Sequence, residues 1–266
     1  MKRVVVVTGA SSGIGKCTCE YLVNKDYVVY GLSRRKVAST FNSMQCDVTD
    51  RDAFKSVIEE IYKREGRIDV LVNNAGMGIS GAVEYIDNDK TDMLFDVNTL
   101  ASFNTCQICI PYLRETKGYI VNISSIASVV PIPYQTAYSA SKAAVNLFSE
   151  SLRLELKDSG ITVTAIMPGD TKTGFSIARV KEDSHNNYGD KLAKSVARME
   201  HDEQNGKSPL TVAKEIEKVI NKKNPKALVS VGFEYKCAYN LELNNLIALF
   251  RSLFFEVFQV LGHHCN

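Results

Sequence analysis

Apolar positions along the chain fall into short runs separated by amphipathic stretches. Val4 to Val7 is an unbroken β-branched run, the pattern of a strand buried on both faces. It leads straight into TGASSGIG and then into the helical pattern of KCTCEYLVNK. YVVYGLS predicts a second strand, and FNSMQCDV a short third one. From about Asp50 to Arg64, the residues Phe54, Val57, Ile58 and Ile61 share one helical face. IDVLVNNAG predicts the next strand, and a long helix follows over about Asp89 to Tyr112. The strand GYIVNISS, a helix over Tyr138 to Lys157, the strand ITVTAIMPG, the helix VAKEIEKVINKK and the strand ALVSVG complete the series. Such alternation predicts an α/β fold: a single-domain, Rossmann-type doubly wound parallel sheet with helices on both faces.

No linker rich in Pro, Gly or Ser interrupts the pattern, and no repeat is present. One domain over residues 1–266 is therefore expected. Two parts depart from the regular alternation. Residues 175–210 form a long segment that is polar at KEDSHNNYGDK and then regains helical register at Leu192, Val196 and Met199. This length predicts a variable substrate-binding segment or lid. Residues 241–262 form an apolar tail, LNNLIALFRSLFFEVFQVLG at its heart, broken by Arg251 and Glu256. A helix packed on the body is the first expectation for it, and peripheral contact with a membrane surface the second; a spanning helix is not expected.

Composition narrows the partners. The chain carries 32 basic and 30 acidic side chains, a net charge of +2, and no long basic block. That balance gives no reason to expect nucleic acid. VVVVTGA is too short for a signal peptide. Seven scattered cysteines fit reduced thiols and a cytoplasmic protein. Cys17 and Cys19 do not share a helical face, and Cys106 and Cys109 have no second pair at ligand spacing, so no metal site is expected. His185 and His201 lie in polar, solvated stretches.

Gly9, Gly13 and Gly15 directly follow a strand and open a helix. One glycine serves the tight turn, one the approach of a pyrophosphate, one the packing of the helix. The helix N-terminus supplies free N–H groups for the phosphates. No Gly-Lys-Ser/Thr follows, so this is not a P-loop. At the end of the second strand GLSRR places Ser33 where an NAD site carries an acid, followed by Arg34. A guanidinium suits a 2′-phosphate, so NADP(H) is favoured and NAD(H) is kept as the alternative. Arg34 and Arg35 also read as a solvated pair. Asp47 is placed either to accept from the adenine amino group or to cap the next helix.

Taken together, TGASSGIG, NNAG at Asn73 to Gly76, Asn98 in DVNT, Ser125 in ISS, YSASK at Tyr138 to Lys142 and PGDTKT resemble the motifs of a short-chain dehydrogenase/reductase, in order and over nearly the whole chain. The resemblance implies Asn98, Ser125, Tyr138 and Lys142 as catalytic residues. The family's serine stands thirteen residues before the tyrosine, which selects Ser125 over Ser124. It implies a cofactor site along Gly9, Ser11, Ser12, Gly13, Ile14, Gly15, Ser33, Arg34, Asp47, Val48, Asn74, Ala75, Gly76, Tyr138, Lys142, Pro168, Gly169, Thr171 and Thr173. Ser12 stands where NADP-using members often carry a basic residue. The resemblance further implies a homodimer or homotetramer, formed through the helices at about 89–112 and 137–157.

The same residues make one device by their own chemistry. Lys142 stands one helical turn beyond Tyr138, and a cation nearby favours phenolate. A phenol with its pKa brought down toward neutrality can exchange a proton with a substrate oxygen, and Ser125 can donate to that oxygen. The expected reaction is hydride transfer between nicotinamide and a ketone or secondary alcohol. Phe175, Ile177, Val180, Tyr188, Leu192, Gly78, Ile79, Val130, Pro131 and Tyr134 are candidate lining residues. They favour a lipophilic, steroid-like substrate of the hydroxysteroid dehydrogenase kind. Arg179 and Lys181 are the candidates for an anion clamp. A 3-oxoacyl thioester reductase is the alternative enzyme, and a nucleotide-sensing binding protein the alternative of another class.

Overall fold

Strand β1 (Val4–Thr8) is buried along its whole length, with Val4 and Val6 in the apolar core on one face and Val5 and Val7 in that on the other. That two-sided burial explains the continuous valine run, since a fully buried strand has no polar face to show. In this computed structural model, which describes residues 1–182 and 187–232, β1 pairs in parallel with β2 (Val28–Ser33) on one side and β4 (Val70–Asn73) on the other. Beyond β2 lies β3 (Asn42–Gln45). Two further strands, β5 (Ile79–Ser80) and β8 (Val180–Lys181), form a small sheet of their own. Beyond β4 come β6 (Tyr119–Ile123), β7 (Thr162–Pro168) and β9 (Leu228–Val231). The main sheet thus has the order β3-β2-β1-β4-β6-β7-β9, all parallel. The chain leaves β1 toward one edge and returns at β4 toward the other. The C-terminal ends of β1 and β4 therefore bound a switch-point crevice, where such sheets bind ligands.

Helices α1 (Gly13–Val23), α2 (Arg51–Glu65), α3 (Asn88–Phe95), α4 (Ala101–Thr116) and α5 (Thr136–Glu155) alternate with the strands; α6 (Phe175–Ala178), α7 (Lys191–Gln204) and α8 (Pro209–Ile220) follow. One core joins Phe54, Ile58 and Ile61 of α2 to Cys106 and Leu113 of α4 and to Leu71 and Ile120 of the sheet. The other joins Leu22 of α1 to Ile216 and Ile220 of α8. Each of these fully buried aliphatic or aromatic chains contributes about 1.5–3 kcal/mol. Helix α2 shows how local sequence sets its bounds: the Asp50 carboxylate accepts from Ala53 N at 2.9 Å, and Gly66 ends it at φ 70°.

One expectation changes. The helix expected over Asp89–Tyr112 is not continuous. It consists of α3, a π-helical turn over Asp96–Leu100, and α4, which runs on to Thr116 with Pro111 inside it. The π turn holds Asn98, whose side-chain hydrogen bonds fasten it to the loop after β4 (below). Segment 175–210 carries the expected register in α7, with Leu192 buried. The tail expected over 241–262 and His185 lie outside the described residues.

Candidate active site

The glycine loop after β1 is built to admit something closely. Gly9 has φ +68°, and a Cβ there would stand 2.8 Å from Ala75 Cα. A Cβ on Gly15 would stand 2.4 Å from both Gly9 O and Asn74 Nδ2. Thr8 Oγ1 accepts from Asn74 N and Ala75 N, each at 3.0 Å, while Asn74 Nδ2 donates to Thr8 O at 2.9 Å. These bonds stitch the NNAG loop to the glycine turn across the switch point. Ser12, the N-cap of α1, is extended and its hydroxyl makes no capping bond. The first N–H groups of α1 are thus not claimed by that side chain, which fits a pyrophosphate. Gly13 (φ +54°) brings the loop against Thr173, 3.4 Å from its missing Cβ to Thr173 Cβ. Thr173 Oγ1 accepts from Phe175 N at 3.2 Å, and Thr171 Oγ1 donates to Gly169 O at 2.9 Å, so the turn after Pro168 closes over the same loop. Ser11 is half-buried beside the turn, and Ile14 packs into the core beneath it.

At the adenosine end Ser33 is buried, and its Oγ donates to Arg35 O at 2.6 Å, holding the turn that presents Arg34 to solvent. Asp47 Oδ1 accepts from Thr49 N at 3.0 Å and Thr49 Oγ1 at 2.8 Å. The helix that follows is capped by Asp50, so the capping alternative for Asp47 does not hold. Val48 is buried in the core next to it.

The reactive end lies on α5. Lys142 is buried; its Nζ donates to Ile123 O at 2.9 Å and stands 6.0 Å from the centroid of the Tyr138 ring. Burial brings its pKa down to about 8. Ser124 Oγ donates to Lys142 O at 3.0 Å, a purely structural use that leaves Ser125 as the serine beside the phenol. Ser125 Oγ accepts from Ala127 N at 3.1 Å, and Ser125 is near enough to Tyr138 to favour its phenolate. Asn98 is 1% exposed. Its Oδ1 accepts from Met77 N at 2.8 Å, and its Nδ2 donates to Met77 O at 3.0 Å and Ser141 Oγ at 3.1 Å. Missing Cβ atoms bring the group together again: one added to Gly76 would lie 3.2 Å from Asn98 Oδ1 and 3.5 Å from Lys142 Nζ.

The expected lowering of the Tyr138 pKa is corrected here. Burial, the largest effect, pushes the phenol above its ordinary value; the Ser125 hydrogen bond and the Arg179 cation offset this in part, and Glu203 adds to the rise. Lys142 turns its ammonium to a backbone carbonyl rather than to the phenol. The anion clamp is corrected too. Arg179 is paired with Glu203, and Lys181 with Glu200 at 2.5 Å. Among the lining candidates, Phe175 meets Tyr138 with ring centroids 5.8 Å apart, and Tyr188 packs edge-on against Tyr134 at 5.9 Å. Ile79 is buried in the small sheet, whereas Ile177 is 84% exposed. Ser176 and Glu203 were not legible as site residues, because their link spans 27 positions and follows no motif.

Residues 3–184 match the short chain dehydrogenase family. The chain belongs to the short-chain dehydrogenases. It is 39% identical over 236 residues to the 3-ketodihydrosphingosine reductase of Bacteroides thetaiotaomicron, covering 86% of this chain and 88% of that one. It is 36% identical over 187 residues to the NADPH-dependent 3-dehydrocapnine reductase of Ornithobacterium rhinotracheale, covering 64% and 66%. The fold matches a short-chain dehydrogenase from Streptomyces avermitilis with a TM-score of 0.85 at 28% identity, over 94% and 95% of the two chains. Similar solved chains hold NADP(H) in some structures and NAD(H) in others. This dehydrogenase is accordingly an NAD(P)(H)-dependent oxidoreductase acting on a carbonyl or alcohol. No helix among its described residues is long and apolar enough to cross a membrane.

Proposed function

We propose that this short-chain dehydrogenase uses NADP(H) to reduce a lipophilic ketone, specifically a long-chain 2-amino-3-ketone such as 3-ketodihydrosphingosine. One observation carries the substrate class: the 39% identity to a 3-ketodihydrosphingosine reductase extends over 86% of the chain, beyond the residues of the general family match. The steroid-like reading rests on apolar lining residues alone, and a long alkyl chain satisfies those equally well.

In this reading the bound cofactor supplies a hydride to the carbonyl carbon. Tyr138 Oη gives its proton to the carbonyl oxygen, so that ketone, hydride and proton sum to the alcohol. The raised pKa keeps the phenol protonated at neutral pH, the form that reduction requires. Ser125 donates to the same oxygen and steadies its developing charge. Lys142 holds cofactor hydroxyls and the nearby field, and Asn98 fixes the Met77 loop beside them. Ser11, Ser12 and Ile14 line the pyrophosphate loop, and Asn74 to Gly76 the floor.

Arg34 reads the 2′-phosphate, with Ser33 holding its turn. Arg34→Ala is expected to weaken NADPH by about ten- to a hundredfold, the scale of a charge-assisted hydrogen bond, and to leave NADH within about twofold. Fluorescence titration of both nucleotides checks this, and an equal loss on both would remove Arg34 from the phosphate site. The substrate reading is tested by following NADPH oxidation with 3-ketodihydrosphingosine, a steroid ketone, a plain long-chain ketone and a 3-oxoacyl thioester. The amino ketone is expected to lead the steroid by at least about tenfold in kcat/KM, the margin of one well-made contact. A steroid or thioester in the lead would overturn it.

A further inference from the structure

A charged cluster is buried beside the reactive phenol. The Arg179 side chain is 1% exposed and its Nη2 pairs with Glu203 Oε1; Glu203 is 17% exposed. Ser176 Oγ donates to the other carboxylate oxygen, Oε2. Phe175 connects this cluster to the catalytic group: its ring centroid lies 5.8 Å from that of Tyr138 and 5.7 Å from the Arg179 guanidinium carbon. A Cβ added to Gly78 would stand 2.9 Å from the Phe175 ring and 3.5 Å from Arg179 Nε. The guanidinium is therefore set between the loop after NNAG, the turn into β8, and α7. Across the Phe175 ring its charge lowers the Tyr138 pKa, with Glu203 acting in the opposite sense.

Arg179 Nη1 is buried and has no hydrogen-bond partner among the described residues. A guanidinium carries five N–H donors and no acceptor, so only an oxygen or another lone pair can complete it. Buried charged donors left open are rare and costly, and near a reacting centre they point to a ligand atom. The ion pair with Glu203 fixes the fork, which makes the open arm a rigid donor rather than a mobile one.

We propose that Arg179 determines specificity by donating from Nη1 to a second oxygen of the substrate, beside the carbonyl that Tyr138 protonates. This rests on the substrate reading above, in which a hydroxyl stands two carbons from the ketone. Glu203 holds the guanidinium in place and balances its charge, and Ser176 holds Glu203. A site built around an open donor discriminates against an analogue that leaves it unpaired.

The test compares kcat/KM for 3-ketodihydrosphingosine and its 1-deoxy analogue, in the wild type and in Arg179→Lys, with NADPH affinity measured in parallel. Lysine keeps the charge and can reach Glu203, but has no second planar arm. The wild type is expected to prefer the hydroxylated ketone by about ten- to a hundredfold, as for a hydrogen bond to a charged group. Arg179→Lys should erase that preference through loss on the hydroxylated ketone alone, with NADPH affinity unchanged. Equal loss on both ketones would make Arg179 a strut of the substrate segment and overturn the assignment; so would weakened NADPH with the preference intact. The wild-type comparison needs no variant: turnover of both ketones at equal rates overturns the Arg179 assignment while the substrate reading stands. Turnover of neither overturns both.

Discussion

Tyr138→Phe is expected to cut turnover by about 10²–10⁴-fold, the range for loss of a positioned proton donor. NADPH affinity should stay within about threefold, since no charged contact is removed. The substitution is narrow. Phenylalanine keeps the ring that meets Phe175 at 5.8 Å and the helix position one turn before Lys142, and loses only Oη. Single-turnover absorbance of NADPH with a saturating ketone reads the first effect, and fluorescence titration the second. Near-normal turnover would assign the proton to another group. Lost NADPH affinity would make the Tyr138 hydroxyl a cofactor contact instead. The direction of the pH dependence is fixed as well. Burial holds the phenol above its ordinary value, so ketone reduction should be flat through neutrality. Alcohol oxidation, which needs phenolate, should rise with pH over the same range. In the Phe variant that rise should vanish.

What the sequence made legible was what depends on neighbours along the chain. The valine run of β1 declares two-sided burial, and Asp50 and Gly66 mark the ends of α2 within a residue of where the pattern placed them. Gly9, Gly13 and Gly15 announce a backbone that something must approach, and their missing Cβ atoms meet Ala75, Thr173 and Asn74. The spacing of Tyr138 and Lys142 also read correctly as one helical face. What failed was the sign of an electrostatic effect. Lys142 stands one helical turn from Tyr138, but its ammonium is spent on Ile123 O, and burial dominates the shift of the phenol. Two groups can share a helical face one turn apart while a distant carbonyl takes the contact, and periodicity carries no information about that choice. The π turn at Asp96–Leu100 was hidden for the same reason: it depends on Asn98 reaching Met77, 21 residues away. Arg179 and Glu203 are 24 residues apart. In sequence one looks like a free clamp and the other like solvated surface. Only folding turns them into a buried pair.

The burial of Lys142 has a thermodynamic signature that separates its charge from its catalytic part. In the folded chain it titrates at about 8, against an ordinary 10.5. Between those values the unfolded chain holds a proton that the folded chain lacks, so stability from this group rises with pH over that window. Below about 8 the lysine is charged in both states and the burial cost is felt in full. The gap corresponds to about 3 kcal/mol. Lys142→Met keeps the bulk, removes the charge and leaves Ile123 O without its donor. Whatever its offset at neutral pH, the variant should lose ground to the wild type as pH climbs from about 7 to 10, by most of that amount. Urea unfolding of both proteins at the two pH values reads it. A pH-independent gap would mean that the ammonium is not desolvated as its surroundings imply. Activity should move independently of that gap: the variant is expected to lose about 10²–10⁴-fold in turnover already at neutral pH, where the wild-type lysine is charged. The fold then bears a charge it would be more stable without, placed where the Tyr138 reaction uses it, which is the stability–activity conflict expected of a functional site.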